Sequence, residues 1–312
     1  MLMLRYAEVA TQARRFLALT GYTVPEFEAL LPAFTQQVNA YLQTHTLRGK
    51  PRKKRRYQPY QNAVFPTFAE ILLFILVYLK QAMTQEVLAC LFGIHQPDAN
   101  QWVHLFEPLL NAALEEVGEK PARDADALQA AGLEAGDYFQ DGTERPIVRP
   151  KDREAQKQYY SGKKRRHTVK NLVVNNAAGK VVLLTPTEEG KKHDKKVADE
   201  AGYTLPEGSR LHQDTGFQGF ALEGTTIIQP KKKPRGGELT AEEKAANRAK
   251  SQVRVRSEHT IGGVKRYRIV KDQIRNWKEG FRDQVMETCC ALHNFRLNFR
   301  PWHYEAQLAK LL

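Results

Sequence analysis

The stretch RVRSEHTIGGVKRY, residues 254–267, decides how the rest of the chain is read. It reads as a helix. At about 100° per residue, Arg254, Glu258 and Lys265 fall near one another in azimuth. Ile261 and Val264 are then expected to pack on a scaffold while that polar row looks into a groove. A carboxylate flanked by cations suits a site that holds a metal ion beside a phosphate. A Glu between arginines is also the composition of an ordinary salt-bridged surface helix. Two further acids weigh against the ordinary reading: Asp141 in YFQDGTERP (138–146) and Asp214 in LHQDTGFQG (211–219).

The 312 residues are enough for a sizeable core and two domains. Charge is the unusual feature, because 48 Lys and Arg against 35 Asp and Glu leave a net +13. Such a surplus points to a polyanionic partner, nucleic acid in the first place. Cys90, Cys289 and Cys290 make neither a disulfide framework nor a zinc spacing. The longest purely apolar run, residues 71–79, is too short to span a bilayer, and the start MLMLRYAEVA lacks a signal-peptide h-region. A soluble, reducing, cytoplasmic setting without a membrane is the expectation.

Read in order, residues 1–47 form an N-terminal helical region in which Thr23 or Val24 precedes a helix with Pro25 in its first turn. Residues 48–56, RGKPRKKRR, follow as an exposed basic linker, and Arg52, Lys53, Lys54, Arg55 and Arg56 are expected to lie along phosphates. Residues 57–117 read as an all-α helix-turn-helix domain. Within it TFAEILLFILVYLKQ (67–81) is a buried helix that Thr67 caps. Gly93 is the turn glycine, Leu88, Phe92, Ala99 and Trp102 pack the two helices together, and Pro97 opens the second. Asp98, Asn100, Gln101 and His104 are left facing outward, with Asn100 and Gln101 the candidates for groove contacts. Residues 118–136 read as a connector.

The second half, 137–300, changes to an α/β pattern. Short β-prone runs at 138–141, 168–174, 181–185, 209–214 and 225–229 alternate with Lys- and Glu-rich helical stretches. A basic insertion, 230–251, carries Lys231, Lys232 and Lys233 at a Pro/Gly turn and then a helix begun by Thr240, with the organising helix after it. Residues 279–297 are a last amphipathic helix and 301–312 a tail. Asp141 and Asp214 each end a strand signal. Carboxylates at adjacent strand ends, with a third on a helix packed against the sheet, can share two hard divalent cations, Mg²⁺ with Mn²⁺ able to substitute.

The motifs DGTERPIVRP (141–150), YYSGKKRRHTVKN (159–171), GKKHDKKV (190–197), DTGFQG (214–219), PKKKPRGGELTAEEK (230–244), RVRSEHTIGGVKR (254–266) and CCALHNFRL (289–297) occur in this order. Together they resemble a bacterial insertion-sequence transposase of the DDE class, in the insertion sequence 5 family. The resemblance implies an RNase H-like catalytic domain, preceded by the helix-turn-helix region, with Asp141, Asp214 and Glu258 as acidic triad and metal ligands. Arg254, Glu258 and Lys265 match the last three positions of the family's Tyr-Arg-Glu-Lys signature, whereas Ser251 stands where the Tyr would be. Arg254 and Lys265 would grip phosphates beside the scissile bond, and Lys163, Lys164, Arg165 and Arg166 add a second basic group.

The implied partners are double-stranded DNA, as terminal inverted repeats and as target, and a second copy of the chain in a dimer on that DNA. Glu144 reads as a structural partner of Arg145 or a fourth ligand, and Asp194 as a helix cap or a replacement for Asp214. His259 reads as an orienting group, and Trp277 as a core or interface aromatic in preference to a base-stacking one. Two other functions fit the same residues: an endonuclease without strand transfer, and a DNA-binding protein that no longer cuts.

Overall fold

The computed structural model describes residues 3–53, 57 and 63–302. The chain divides into two compact units, 1–120 with 265–272 and 277–299, and 121–264 with 273–276 and 300–312. Among the described residues no helix is long and apolar enough to cross a membrane.

The first unit is helical: α1 (Tyr6–Val9), α2 (Ala13–Thr20), α3 (Val24–Thr44), α4 (Phe68–Gln81), α5 (Gln85–Phe92) and α6 (Gln96–Glu116), joined by the much later α11 (Phe281–Leu297). A reciprocal cap starts α3, where the Thr23 hydroxyl accepts from the Glu26 amide and the Glu26 carboxylate accepts from the Thr23 amide. Every residue of α4 from Ala69 to Leu79 is buried, as its all-round hydrophobicity requires. Gly93, at φ 64°, makes the turn between α5 and α6 in a conformation that favours glycine. Leu88, Phe92, Ala99 and Trp102 are buried across that turn, and Pro97 sits in the first turn of α6.

α11 belongs with these helices, although chain order suggests the α/β half. Thr288 donates to buried Glu107 at 2.6 Å and accepts from Asn111 at 2.8 Å, which ties α11 to α6 through a polar cluster.

The second unit holds α7 (Ala125–Ala130), β1 (Asp137–Pro146), α8 (Arg153–Tyr159), β2 (Tyr160–Ser161), β3 (Arg166–Asn176), β4 (Val181–Leu184), β5 (Glu188–Glu189), α9 (Asp194–Ala201), β6 (Arg210–His212), β7 (Thr226–Ile228) and α10 (Ala241–Val264). The strands order as β4-β3-β1-β6-β7, with β2 and β5 pairing elsewhere along β3. β1, β3 and β4 run antiparallel, while β6 and β7 run parallel to β1. An antiparallel meander extended by parallel strands on the far side of its first strand is the RNase H-like arrangement.

Successive residues of β1 point to opposite faces. One face bears Tyr138, whose cluster with Leu172, Val174, Leu211, Phe217 and α9's Val197 and Ala198 is the core. The other face bears Phe139 and Asp141 beneath α10, with the Arg256 guanidinium over the Phe139 ring at 5.8 Å.

Three expectations change. β1 does not stop at Asp141; residues 138–146 pair one by one with 176–168 of β3, which holds DGTERP extended. The helix begun by Thr240 and the organising helix are one element of 24 residues, since no proline interrupts residues 241–264. The connector is partly core, because Leu128 of α7 is buried and Ala122 pairs with Leu183.

Candidate active site

The site is built where β1, the end of β6 and α10 approach. Asp141 sits in mid-strand opposite Val173, on the face that α10 covers. Asp214 lies two residues beyond β6, at the start of a 3₁₀ turn, and accepts from its neighbour Thr215 at 3.0 Å. His212 stacks on Phe139 at 4.6 Å, so alternation carries Asp214 to the same face as Asp141.

Asp141 feels the charge of both other aspartates. Burial pushes the Asp141 carboxyl up to about 6, opposed by the Arg254 guanidinium and the Gly142 amide and reinforced by the negative charges of Asp214 and Asp194.

α10 reaches this face with small side chains. Ser257, Thr260, Gly263 and Val264 are its buried residues, and Thr260 donates to the Gly179 carbonyl at 3.3 Å. Val264 is buried as expected but Ile261 is only half-buried, and Ser257, Thr260 and Gly263 complete the packed seam.

Arg254 then lies between two acids: Nη1 is 3.8 Å from Asp141 Oδ2, and Nη2 is 2.9 Å from Glu258 Oε1. The Glu258 side chain is 52% exposed and is held by Arg254 rather than by the aspartates. Thus Asp141 and Asp214 are brought together and Glu258 is not. Among the described residues no three of His, Cys, Asp and Glu form a group that could hold a metal ion. The expected polar row also ends early, because α10 stops at Val264 and Lys265 falls in the other unit.

Asp194 is the residue that sequence reading underweights. Its carboxylate takes the Lys170 ammonium at 2.9 Å, and a Cβ placed on Gly142 would come within 2.7 Å of Asp194 Oδ1. A glycine inside a strand signal is the mark of such close approach. Glu144 accepts from Thr168 at 2.8 Å. His259 is exposed with its ring edge-on to Trp302.

The basic candidates fall into three groups. Lys163, Lys164, Arg165 and Arg166 are all exposed at the tip of the β2–β3 hairpin, with Arg165 at φ 51°. Lys231, Lys232 and Lys233 are exposed too, although Lys231 pairs with Glu243 and Lys233 with Glu238.

Arg52, in the third group, also has a structural role that the sequence reading does not include. It donates to the Leu42 and His45 carbonyls at 2.6 and 2.9 Å, closing the C-terminus of α3, and its guanidinium lies over Tyr57. Lys53 is exposed. The phosphate contacts expected of Lys54, Arg55 and Arg56, and the tail from residue 303 to 312, lie outside the described residues.

On α6, Asn100 is exposed but donates to Gln85 at 3.0 Å, and Gln101 is half-buried. His104 does not face outward; its ring packs edge-on against Phe281 at 4.9 Å. Trp277 is not a core aromatic: it is 58% exposed, with the Arg282 guanidinium 5.0 Å from its ring.

Comparison with known proteins finds two family matches and a relative. Residues 140–294 match the family described as DDE superfamily endonuclease, and residues 67–116 match the helix-turn-helix of DDE superfamily endonuclease. Over 136 residues the chain is 32% identical to a protein of Microchaete diplosiphon named "Probable transposase for insertion sequence element IS702". That similarity covers 44% of this chain and about half, 49%, of the relative's length. No solved structure matches the chain.

Proposed function

We propose that this chain, which carries the catalytic domain and the helix-turn-helix of the DDE superfamily endonucleases, is a transposase. On this reading it binds the terminal inverted repeats of an insertion sequence and carries out divalent-metal-dependent cleavage and transfer of DNA strands. The observation that supports it most is Asp141 on the sheet face beneath α10, 3.8 Å from Arg254 and within reach of the Asp214 charge, with Glu258 on the same helix.

Asp141, Asp214 and Glu258 are the residues that would hold two Mg²⁺ ions, with Mn²⁺ as substitute. The donors fit, since all are carboxylates, and Asp141, whose carboxyl is raised first by burial and then by the charges of Asp214 and Asp194, gains from a cation. Bound there, the ions would activate the attacking oxygen and stabilise the leaving one. The protein's own task is positioning. Glu258 is held by Arg254 at 2.9 Å; with Glu258 taken up as a metal ligand, the Arg254 guanidinium would be available to a phosphate oxygen. Water is the nucleophile in cleavage, and the freed 3′-hydroxyl attacks target DNA in the second step. The exposed hairpin 163–166 and residues 231–233 neutralise backbone phosphates, α6 reads the repeat through Asn100 and Gln101, and two copies act together on DNA.

Purified protein incubated with Mg²⁺, a DNA ending in the element's repeat and a target plasmid tests the reading. Nicked ends plus joined products are expected, and Asp141→Asn, Asp214→Asn and Glu258→Gln should each bind DNA yet produce neither. Nicked ends without joining would reduce the function to that of an endonuclease. Full activity in the Glu258→Gln protein would remove Glu258 from the triad.

A further inference from the structure

We infer that Asp194, locked by Lys170, is a positioning residue that sets the spacing of Asp141 and Asp214 from behind the sheet, and is not a metal ligand; the inference rests on the proposed cleavage site.

Strand alternation carries the argument. Asp141 points to the α10 face, so the side-chain direction at Gly142 is toward the opposite, α9 face. It is there that Asp194 approaches, with Oδ1 and Cγ lying 2.7 and 2.8 Å from where a Gly142 Cβ would stand. Lys170 lies on that same face, two residues from Leu172, which pairs with Gly142. Its ammonium holds Asp194 at 2.9 Å, and its side chain is only 7% exposed.

The other oxygen of Asp194 looks toward Gly216, 4.0 Å from a Cβ built there and two residues after Asp214. One carboxylate therefore stands tight against the backbone at Gly142, beside Asp141, and near Gly216, in the turn that follows Asp214. Its place as the first residue of α9, a helix whose Val197 and Ala198 are in the core, fixes it from below. Charge from Asp194 still reaches Asp141 through the strand, but its side chain stands on the far side of β1 from Arg254 and α10.

Two variants separate this role from ligation and from simple structure. Asp194→Asn keeps the shape and a hydrogen bond to Lys170. It should therefore cleave at near wild-type maximal rate while the Mg²⁺ concentration for half-maximal cleavage rises about tenfold, the range found when groups supporting metal ligands are altered. Lys170→Met should shift the metal requirement in the same direction. Cleavage abolished by Asp194→Asn at every metal concentration, with Lys170→Met unaffected, would make Asp194 a ligand and overturn the inference. An unchanged metal requirement in both variants would overturn it too.

A second measurement does not depend on activity. Gly142→Ala should lower the melting temperature sharply in the wild-type background and far less in an Asp194→Ala background, where the colliding carboxyl is gone. Additive losses would place Asp194 away from Gly142 and refute the wedge. If the wild-type protein cuts no DNA while this coupling is present, it is the functional reading that fails and the wedge that stands.

Discussion

Replacing Asp141 by Asn should stabilise the metal-free α/β unit while abolishing cleavage. The Asp141 side chain is 22% exposed, and its carboxyl is raised from 3.8 to about 6. A shift of that size corresponds to about 3 kcal/mol at 1.36 kcal/mol per unit. The sign follows from linkage. An acid whose folded value lies above its unfolded value binds its proton more tightly in the fold, so ionisation opposes folding. The penalty is absent below pH 3.8, grows between 3.8 and 6, and is complete above 6.

Asn has nearly the same shape and carries no charge. Part of the gain is offset because the attraction to Arg254 goes with the charge, so a net stabilisation of about 1–3 kcal/mol is expected at pH 8, or roughly 3–8 °C in melting temperature. Calorimetric melts of both proteins between pH 4 and pH 8 in EDTA measure it, and the gap should narrow steadily as pH falls. Adding Mg²⁺ should reverse the order, because the ion stabilises only a protein that binds it, by about 4.1 kcal/mol at one thousand times its dissociation constant. An Asn variant that melts below wild type at pH 8 in EDTA would refute the reasoning, as would a gap independent of pH.

Neutralising Lys163, Lys164, Arg165 and Arg166 together should weaken binding to every DNA alike and flatten the dependence of log K on log salt by about 0.9 for each phosphate no longer neutralised; fluorescence anisotropy at several salt concentrations reads this. Asn100→Ala should weaken the cognate repeat by about 1–3 kcal/mol and leave scrambled DNA unchanged, and equal losses on both would remove α6 from recognition. Glu107→Gln should stabilise the helical unit at pH 9 but not at pH 5, because burial raises the Glu107 carboxyl to about 7; a helical-signal melt at the two pH values checks the sign.

Much of the architecture is legible in the sequence because local chemistry dictates it. Thr23, Thr67 and Gly93 mark helix boundaries through groups that only helix ends need. The five β-prone runs all become strands, and the parallel pairing of β1 with β6 stacks Phe139 on His212, two residues before Asp141 and Asp214 respectively. What is not legible depends on partners distant in the chain. Nothing local says that Arg52 will be used on the carbonyls of Leu42 and His45, or that α11 will join α6 through Thr288. Azimuth on a helical wheel likewise places Arg254 and Glu258 together, but cannot tell whether the guanidinium or a metal will claim the carboxylate. The position of Asp194 is the subtlest, since a His-Asp-Lys-Lys helix start is ordinary until Gly142 is seen to lack the side chain that would exclude it.

The register between β1 and β3 is what separates the two roles of these acids. Pairing is continuous from Tyr138 with Asn176 to Pro146 with Thr168, without a bulge. A slip of one residue would send every side chain of β1 to the opposite face. Asp141 would then enter the α9 core, where Tyr203 donates to Gln140, and Gly142 would face Arg254 with nothing to offer. The slip is opposed from both faces, by Tyr138 in its apolar cluster and by Phe139 between His212 and Arg256. The apolar residues of this strand thus determine which way its acid points, while the glycine beside that acid leaves room for Asp194 behind it.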